Sequence, residues 1–93
     1  MSRDVIHLPD LLFVQYCQET YGLNRGVYNR VDIWFYQQDV KNVIERRRYI
    51  LDFLIFLLSS LDNDWERSRI KIGKGNLVHL LNQYWKKKDK SVS

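Results

Sequence analysis

The sequence contains few of the residues that form disulfides, restrict the backbone or bind metals. Of its 93 residues, one is cysteine, one is proline and two are histidine. A single cysteine cannot form a disulfide within the chain, so Cys17 is predicted to fill a core position in a protein of a reducing compartment. A catalytic role for Cys17 would require the fold to place a histidine beside it.

Motifs for catalysis and metal binding are also lacking. His79 has no cysteine or carboxylate at metal-ligand spacing, which argues against a metal site. Residues 73–76 read Gly-Lys-Gly-Asn before a helix, but they lack the spacing and the Ser or Thr of a phosphate-binding loop. No nucleophile motif is present, and Asp62 with Asp64 indicates a turn. We expect no cofactor, no metal and no enzymatic activity.

No apolar run is long enough to span a membrane. The most apolar stretch, residues 49–61, has thirteen residues and includes Asp52, whereas a spanning helix needs roughly 20 apolar residues. The first residues do not lead into a signal peptide. A cytoplasmic protein is therefore expected.

The apolar residues that are present recur at helical spacing, which predicts a mainly α fold. A first helix is expected from about Pro9 to Tyr21, with Gly22 suited to the left-handed position after its end. A long central helix is expected over residues 40–61. A last helix is expected from Leu77 to about Lys88, with Asn76 as its N-cap. The prediction is one domain of three helices, frayed at residues 1–8 and 89–93.

The region before the central helix is open to two interpretations. Residues 23–30 contain turn-forming residues and predict a connection. Residues 27–36 alternate β-branched or aromatic residues with polar ones, as a strand does. They could pair with residues 68–72 in a two-stranded ribbon, which would make the fold α+β. Asn29 with Asp32 could instead start the long helix near Arg30, or Asp39 could start a shorter helix near Val40. We favour the start near Arg30.

The positive charge is concentrated at one end of the chain. The net charge is +4, but residues 67–93 hold eight Lys or Arg and one acid, giving +7 and leaving −3 for residues 1–66. Tyr84 and Trp85 add flat rings near this charge, although both also fit the apolar stripe of the last helix. One predicted function is therefore nucleic-acid binding. Its contacts would be Arg67, Arg69, Lys71, Lys74, Lys86, Lys87 and Lys88.

The favoured prediction from the sequence is a different function. Residues 49–61 are apolar on nearly all sides, and so short a chain offers few elements to cover them. Arg47 interrupts the apolar stripe, which suggests that the middle of the helix opens to solvent or to an acidic partner. We expect a non-enzymatic protein–protein interaction module, a small regulator, inhibitor or assembly subunit, that binds a second copy or a target protein. The contacts would be Tyr49, Phe53, Phe56 and Leu57, with Arg46 and Arg48 at the rim.

Overall fold

The computed structural model contains four α-helices preceded by a short 3₁₀ helix. It describes residues 2–60, 72 and 74–92. The elements in chain order are the 3₁₀ helix Ser2–His7, α1 Asp10–Tyr21, α2 Arg25–Gln37, α3 Val43–Ser60 and α4 Lys74–Val92. The prediction of a small, mainly α fold is confirmed. The described residues contain no strand, so the alternative with a ribbon is not supported; residues 68–71 lie outside them.

Helix α1 has the bounds that the sequence predicts. Pro9 precedes its first turn, where a preset φ costs nothing because the first amide groups of a helix have no intrahelical partner. Gly22 ends the helix with a φ of 67°, a left-handed conformation that glycine adopts without strain. Leu23 then turns back and is buried in the core. This end directs the chain into α2 after only three residues.

Helix α2 occupies a region for which the sequence predicted a connection over residues 23–30 and, over residues 27–36, either a strand or the start of the long helix. The side chain of Asn24 accepts a hydrogen bond of 2.7 Å from the backbone amide of Gly26, which caps the new helix. A Cβ atom on Gly26 would lie only 3.0 Å from the Asn24 Oδ1 atom. Tyr28, Val31 and Phe35 are buried at spacings of three and four, as on one face of a helix. The interpretation of these residues as a strand is therefore wrong.

A break at residues 38–42 separates α2 from α3 and corrects the prediction of one long helix from about Arg30. Asp39 adopts a φ of 74°, which an α-helix cannot accommodate. Asn42 then restarts the helix by accepting a hydrogen bond of 2.9 Å from the amide of Glu45. The break also changes the phase of the apolar stripe, so Ile33 and Val43 are exposed.

Helix α4 is longer than expected. It begins at Lys74, so Asn76 lies inside its first turn and is not the N-cap. The apolar stripe was nevertheless placed correctly, since Leu77, Leu81 and Tyr84 are buried against the rest of the core.

The chain covers its own most apolar helix. Phe53, Leu54 and Leu57 of α3 have no exposed surface, because α2, α4 and the 3₁₀ helix all pack on α3, and Phe13 of α1 joins the same core. The expectation that a chain of this length cannot enclose its most apolar stretch is therefore wrong for residues 49–59, among which only Ile55 and Ser59 are exposed; residue 61 lies outside the described residues. Phe53 and Leu57 belong to the internal core and offer no docking surface.

Candidate functional site

The three consecutive arginines of α3 have separate environments, as expected from residues that advance about 100° each along a helix. Arg46 is largely buried, and its Nε atom donates to Asp32 of α2 at 2.7 Å. Its guanidinium also donates to the carbonyl oxygen of Val40 at 3.0 Å. Arg46 therefore holds α2 against the start of α3, and it does not form the rim of a binding surface.

Arg47 is enclosed by the molecule, with 6% of its surface exposed. It donates hydrogen bonds to the carbonyl oxygens of Ile6 and Leu8 and to the carboxylate of Asp10. The guanidinium also lies 4.7 Å from the centroid of the Phe13 ring. The expected opening of α3 to solvent at this position is thus absent, because backbone carbonyls from the start of the chain satisfy the charge.

Arg48 is exposed and lies one helical turn before Asp52 on the same face of α3. This spacing of four residues would allow an ion pair between them. In the structure the carboxylate of Asp52 instead accepts hydrogen bonds from α4, at 2.7 Å from the Tyr84 hydroxyl and 2.9 Å from the Lys88 ammonium. These two bonds tie the middle of α3 to the last turns of α4.

The environment of Asp52 keeps its carboxylate ionised. Partial burial by itself raises the pKa of Asp52, but the hydrogen bonds from Tyr84 and Lys88 outweigh that effect. The net result is a pKa below the ordinary value of 3.8. For Tyr84, burial and the adjacent Asp52 carboxylate both raise the pKa of the phenol. At neutral pH the pair is therefore a carboxylate and a neutral hydroxyl.

A groove with a volume of about 260 Å³ lies between α3 and α4 beside Asp52. Its lining residues are Asp52, Ile55, Phe56, Tyr84, Lys87 and Lys88. The half-buried ring of Phe56 stacks on Phe53 at a centroid distance of 6.1 Å, and the Lys87 ammonium lies 5.9 Å from the Phe56 centroid. The groove thus combines an aromatic wall, two lysines and one carboxylate.

The lysines at the end of α4 are the part of the predicted basic surface that the structure describes. Lys86 and Lys87 are exposed, and Lys88 is half-buried. Lys74 lies in the first turn of α4, and only its backbone is described. Arg67, Arg69 and Lys71 lie outside the described residues.

The two flat rings considered for base stacking belong to the structure of the core. Tyr84 is buried, and Trp85 packs against Trp34 at a centroid distance of 5.8 Å and against Tyr49 at 5.2 Å. Tyr49 is itself stacked on Phe35, so it supports the junction of three helices. Tyr84 and Phe56 both line the groove between α3 and α4, and Phe56, which the sequence had suggested as a protein contact, is the more exposed of the two.

The described cysteine and potential metal ligands are not positioned for catalysis or for metal binding. Cys17 has no exposed surface, and burial raises the pKa of its thiol to about 12, so the nucleophilic thiolate does not form at neutral pH. Within residues 2–60, 72 and 74–92, no three His, Cys, Asp or Glu side chains come together to hold a metal ion. The described helices include none that is long and apolar enough to cross a membrane.

Comparison with known proteins reveals similarity to a protein that combines nucleic-acid binding with phosphoryl transfer. It is the RNA-binding riboflavin kinase RibR of Bacillus subtilis (strain 168), which is 44% identical to this chain over 85 residues. The match covers 90% of the chain but only 36% of the relative. No protein-family model matches the chain, and no solved structure matches it significantly.

This similarity corrects the functional expectation from the sequence. The relative is described as RNA-binding and not as a protein-interaction subunit. Together with the burial of Phe53 and Leu57 in the chain's own core, the match contradicts a protein–protein interaction module. It favours the alternative based on the basic C-terminal third.

Proposed function

We propose that this chain is an RNA-binding module and that the end of α4 forms part of its RNA-binding surface. The observation that carries the proposal is the 44% identity to an RNA-binding protein over 85 residues, which is nearly the whole chain. The basic composition of the C-terminal third supports it, since attraction to phosphates supplies much of the affinity of proteins for nucleic acids.

Several described lysine and arginine side chains are exposed and could contact RNA phosphates. Lys86, Lys87 and Lys88 lie at the end of α4, and Arg48 of α3 is also exposed. The sequence adds Arg67, Arg69, Lys71 and Lys74 immediately before or at the start of α4. Arg46 and Arg47 do not belong to this surface because internal partners hold them.

The proposal can be tested by measuring the binding of fluorescently labelled RNA at a series of salt concentrations. We expect affinity to fall steeply with salt, because each phosphate contact releases counterions. Lys86→Gln should weaken binding to all RNA sequences by a similar factor and reduce the salt slope by about one. Lys41→Gln, a change of an exposed lysine in the α2–α3 connection, is the matched control and should leave both quantities unchanged.

The outcome that contradicts the proposal is absence of RNA binding at low salt, or binding that does not depend on salt. Equal effects of Lys86→Gln and Lys41→Gln would show that the RNA-binding surface does not include the end of α4. A DNA oligonucleotide of the same sequence should be included, because contacts to the 2′-hydroxyl distinguish RNA from DNA.

We also propose that the chain has no kinase activity by itself. It spans only about a third of the length of the riboflavin kinase that it resembles, and its sequence lacks a phosphate-binding loop motif. The test is incubation of the purified chain with riboflavin, ATP and Mg²⁺. Formation of a phosphorylated flavin would contradict this proposal.

A cytoplasmic location is proposed on chemical grounds. The chain has one cysteine, and its thiol is buried, as is usual for proteins of reducing compartments. Cell fractionation with an antibody to the chain is the direct test. Recovery outside the cytoplasm would contradict this location.

A further inference from the structure

We propose that the groove between α3 and α4 binds one unpaired base of the RNA and that Asp52 selects guanine at this position. This inference rests on the proposed RNA-binding function and adds to it the kind of RNA, the place of contact and the base. It follows from the size of the groove, the positions of its lysines and the unused hydrogen-bonding capacity of Asp52.

The size of the groove suits a single base. Pockets for drug-sized ligands have volumes of roughly 300 to 1,000 Å³, and this groove has about 260 Å³. Phe56 supplies a flat, half-buried ring along one wall, and its contacts with Phe53 and Tyr84 hold it in place. Stacking on an aromatic ring is the usual way in which proteins bind a base that has left a helix. A base inside a duplex could not enter.

Positive charge lies in the same groove. The Lys87 ammonium lies over the Phe56 ring, 5.9 Å from its centroid, and the Lys88 ammonium lies over the Tyr84 ring, 6.0 Å from its centroid. A base that stacks on this face of Phe56 would take the place of the Lys87 ammonium, which would then lie beside the sugar and phosphates of the same nucleotide. The aromatic wall and the cations are thus close enough to contact one nucleotide together.

The position of Asp52 is unexpected for a surface that attracts RNA, because a carboxylate repels phosphates. Its Oδ2 atom accepts from both Tyr84 and Lys88, which uses the two lone pairs of that oxygen. Its Oδ1 atom accepts no hydrogen bond from the described residues, and 47% of the side chain is exposed beside the groove. Asp52 therefore presents an ionised acceptor to whatever enters.

An ionised acceptor discriminates among the four bases by their Watson–Crick edges. Guanine presents two adjacent donors, its N1–H and its amino group. Adenine and cytosine each place a ring acceptor beside their amino group, and uracil has one donor between two carbonyl oxygens. The open Oδ1 atom can accept from both donors of guanine through its two lone pairs, whereas the ring acceptors or carbonyl oxygens of the other bases repel it.

The experiment uses four uridine-rich RNA oligonucleotides that differ only in having G, A, C or U at one central position. The wild-type chain should bind the oligonucleotide with guanine about tenfold more tightly than the one with uracil, the effect of one good base contact. Phe56→Leu keeps an apolar wall but removes the flat ring. It should weaken binding of all four oligonucleotides by several-fold.

Asp52→Asn provides the sharpest test. The carbonyl oxygen of the new amide must accept from Lys88, which can only donate, so the NH₂ group takes the position of Oδ1. The groove then presents a donor in place of an acceptor, and the preference for guanine should disappear. Affinity for the oligonucleotides with A, C or U should be equal or higher because one negative charge is lost, and affinity for the oligonucleotide with guanine should fall to about the same level. Asp39→Asn, which removes a charge outside the groove, should raise affinity at most slightly and keep the preference.

The possible results distinguish the inference from the proposed function. RNA binding with the same affinity for all four oligonucleotides, or a guanine preference that survives Asp52→Asn, overturns the inference and leaves the RNA-binding function standing. Absence of binding to any oligonucleotide overturns both. Circular dichroism of each variant verifies that it remains helical, and Lys87→Gln gives a second variant of the groove, with an expected loss of several-fold for every oligonucleotide.

Discussion

The guanidinium of Arg47 in α3 donates a hydrogen bond of 2.6 Å to the carboxylate of Asp10, which begins α1 37 residues earlier. The same guanidinium reaches the carbonyl oxygens of Ile6 and Leu8 at 2.8 and 2.7 Å. One buried side chain thereby fastens the 3₁₀ helix and the start of α1 to the second turn of α3. Arg47 thus has a structural role and is not part of the basic surface.

Arg47→Met is expected to lower the free energy of unfolding by about 3 kcal/mol, because two buried carbonyl oxygens lose their donor. Asp10→Asn should cost about 1 kcal/mol or less, since the Asp10 side chain is 91% exposed and Arg47 keeps its carbonyl partners. Urea denaturation followed by circular dichroism measures both. Equal losses for the two variants would contradict this account.

The asparagines that begin α2 and α3 are expected to act as helix caps. Asn24→Ala and Asn42→Ala should each lower the free energy of unfolding by about 1 kcal/mol, because each removes the acceptor for a backbone amide. Asn82→Ala, an exposed position within α4, is the matched control and should be neutral or slightly stabilising, since alanine is the better helix former. Thermal unfolding of the three variants tests the prediction, and a loss at Asn82 as large as the other two would contradict it.

Substitutions in α3 should separate its buried face from its exposed one. Phe53→Ala is expected to cost about 3 to 5 kcal/mol because it opens a cavity in a packed core. Ile55→Ala should cost less than about 1 kcal/mol, since Ile55 is 44% exposed. Denaturant titration measures both. Phe53→Asp should unfold the chain; a folded Phe53→Asp variant would show that the ring is not in the core.

The bonds of Asp52 predict a dependence of stability on pH. A carboxyl group with a lowered pKa in the folded state stabilises that state above its unfolded pKa and loses this contribution as the pH falls through the folded value. Asp52→Asn should therefore lower the free energy of unfolding at pH 7, by less than about 1 kcal/mol because the ion pair is half exposed. The difference from the wild type should shrink below about pH 4 and vanish under more acidic conditions.

The control for this pH dependence is Asp39→Asn, at a side chain that is 90% exposed. Its difference from the wild type should stay within about 0.5 kcal/mol over the same pH range. Urea titrations at pH 7, 5, 4 and 3 provide the comparison. A constant difference between Asp52→Asn and the wild type at all four values would contradict the assigned role of Asp52.

The sequence predicts those parts of the fold that depend on neighbouring residues. The apolar stripe of α4 and the glycine that ends α1 are local patterns that the structure confirms. The favoured start of the long helix near Arg30 missed the break before α3, because apolar residues continue at helical spacing from Ile33 through Val43. The decisive feature, the left-handed backbone of Asp39, leaves little trace in such a pattern.

The interactions that the sequence could not predict connect residues far apart in the chain. Arg47 was expected to need solvent, yet its carbonyl partner in Ile6 lies 41 residues away. Asp52 lies within pairing distance of Arg48, one turn away, but its partners Tyr84 and Lys88 are 32 and 36 residues distant. The sequence indicated that basic residues lie near the end of α4, and it could not show that a carboxylate and an aromatic ring lie beside them.

The contact between Trp34 and Trp85 has a practical consequence. These indole rings, at the junction of α2 with α4, lie 5.8 Å apart and almost perpendicular to each other. Any event that shifts α4 changes the surroundings of both fluorophores, and Trp85 is the immediate neighbour of the groove residue Tyr84. Tryptophan emission spectra can therefore report a change in the position of α4 without a chemical label.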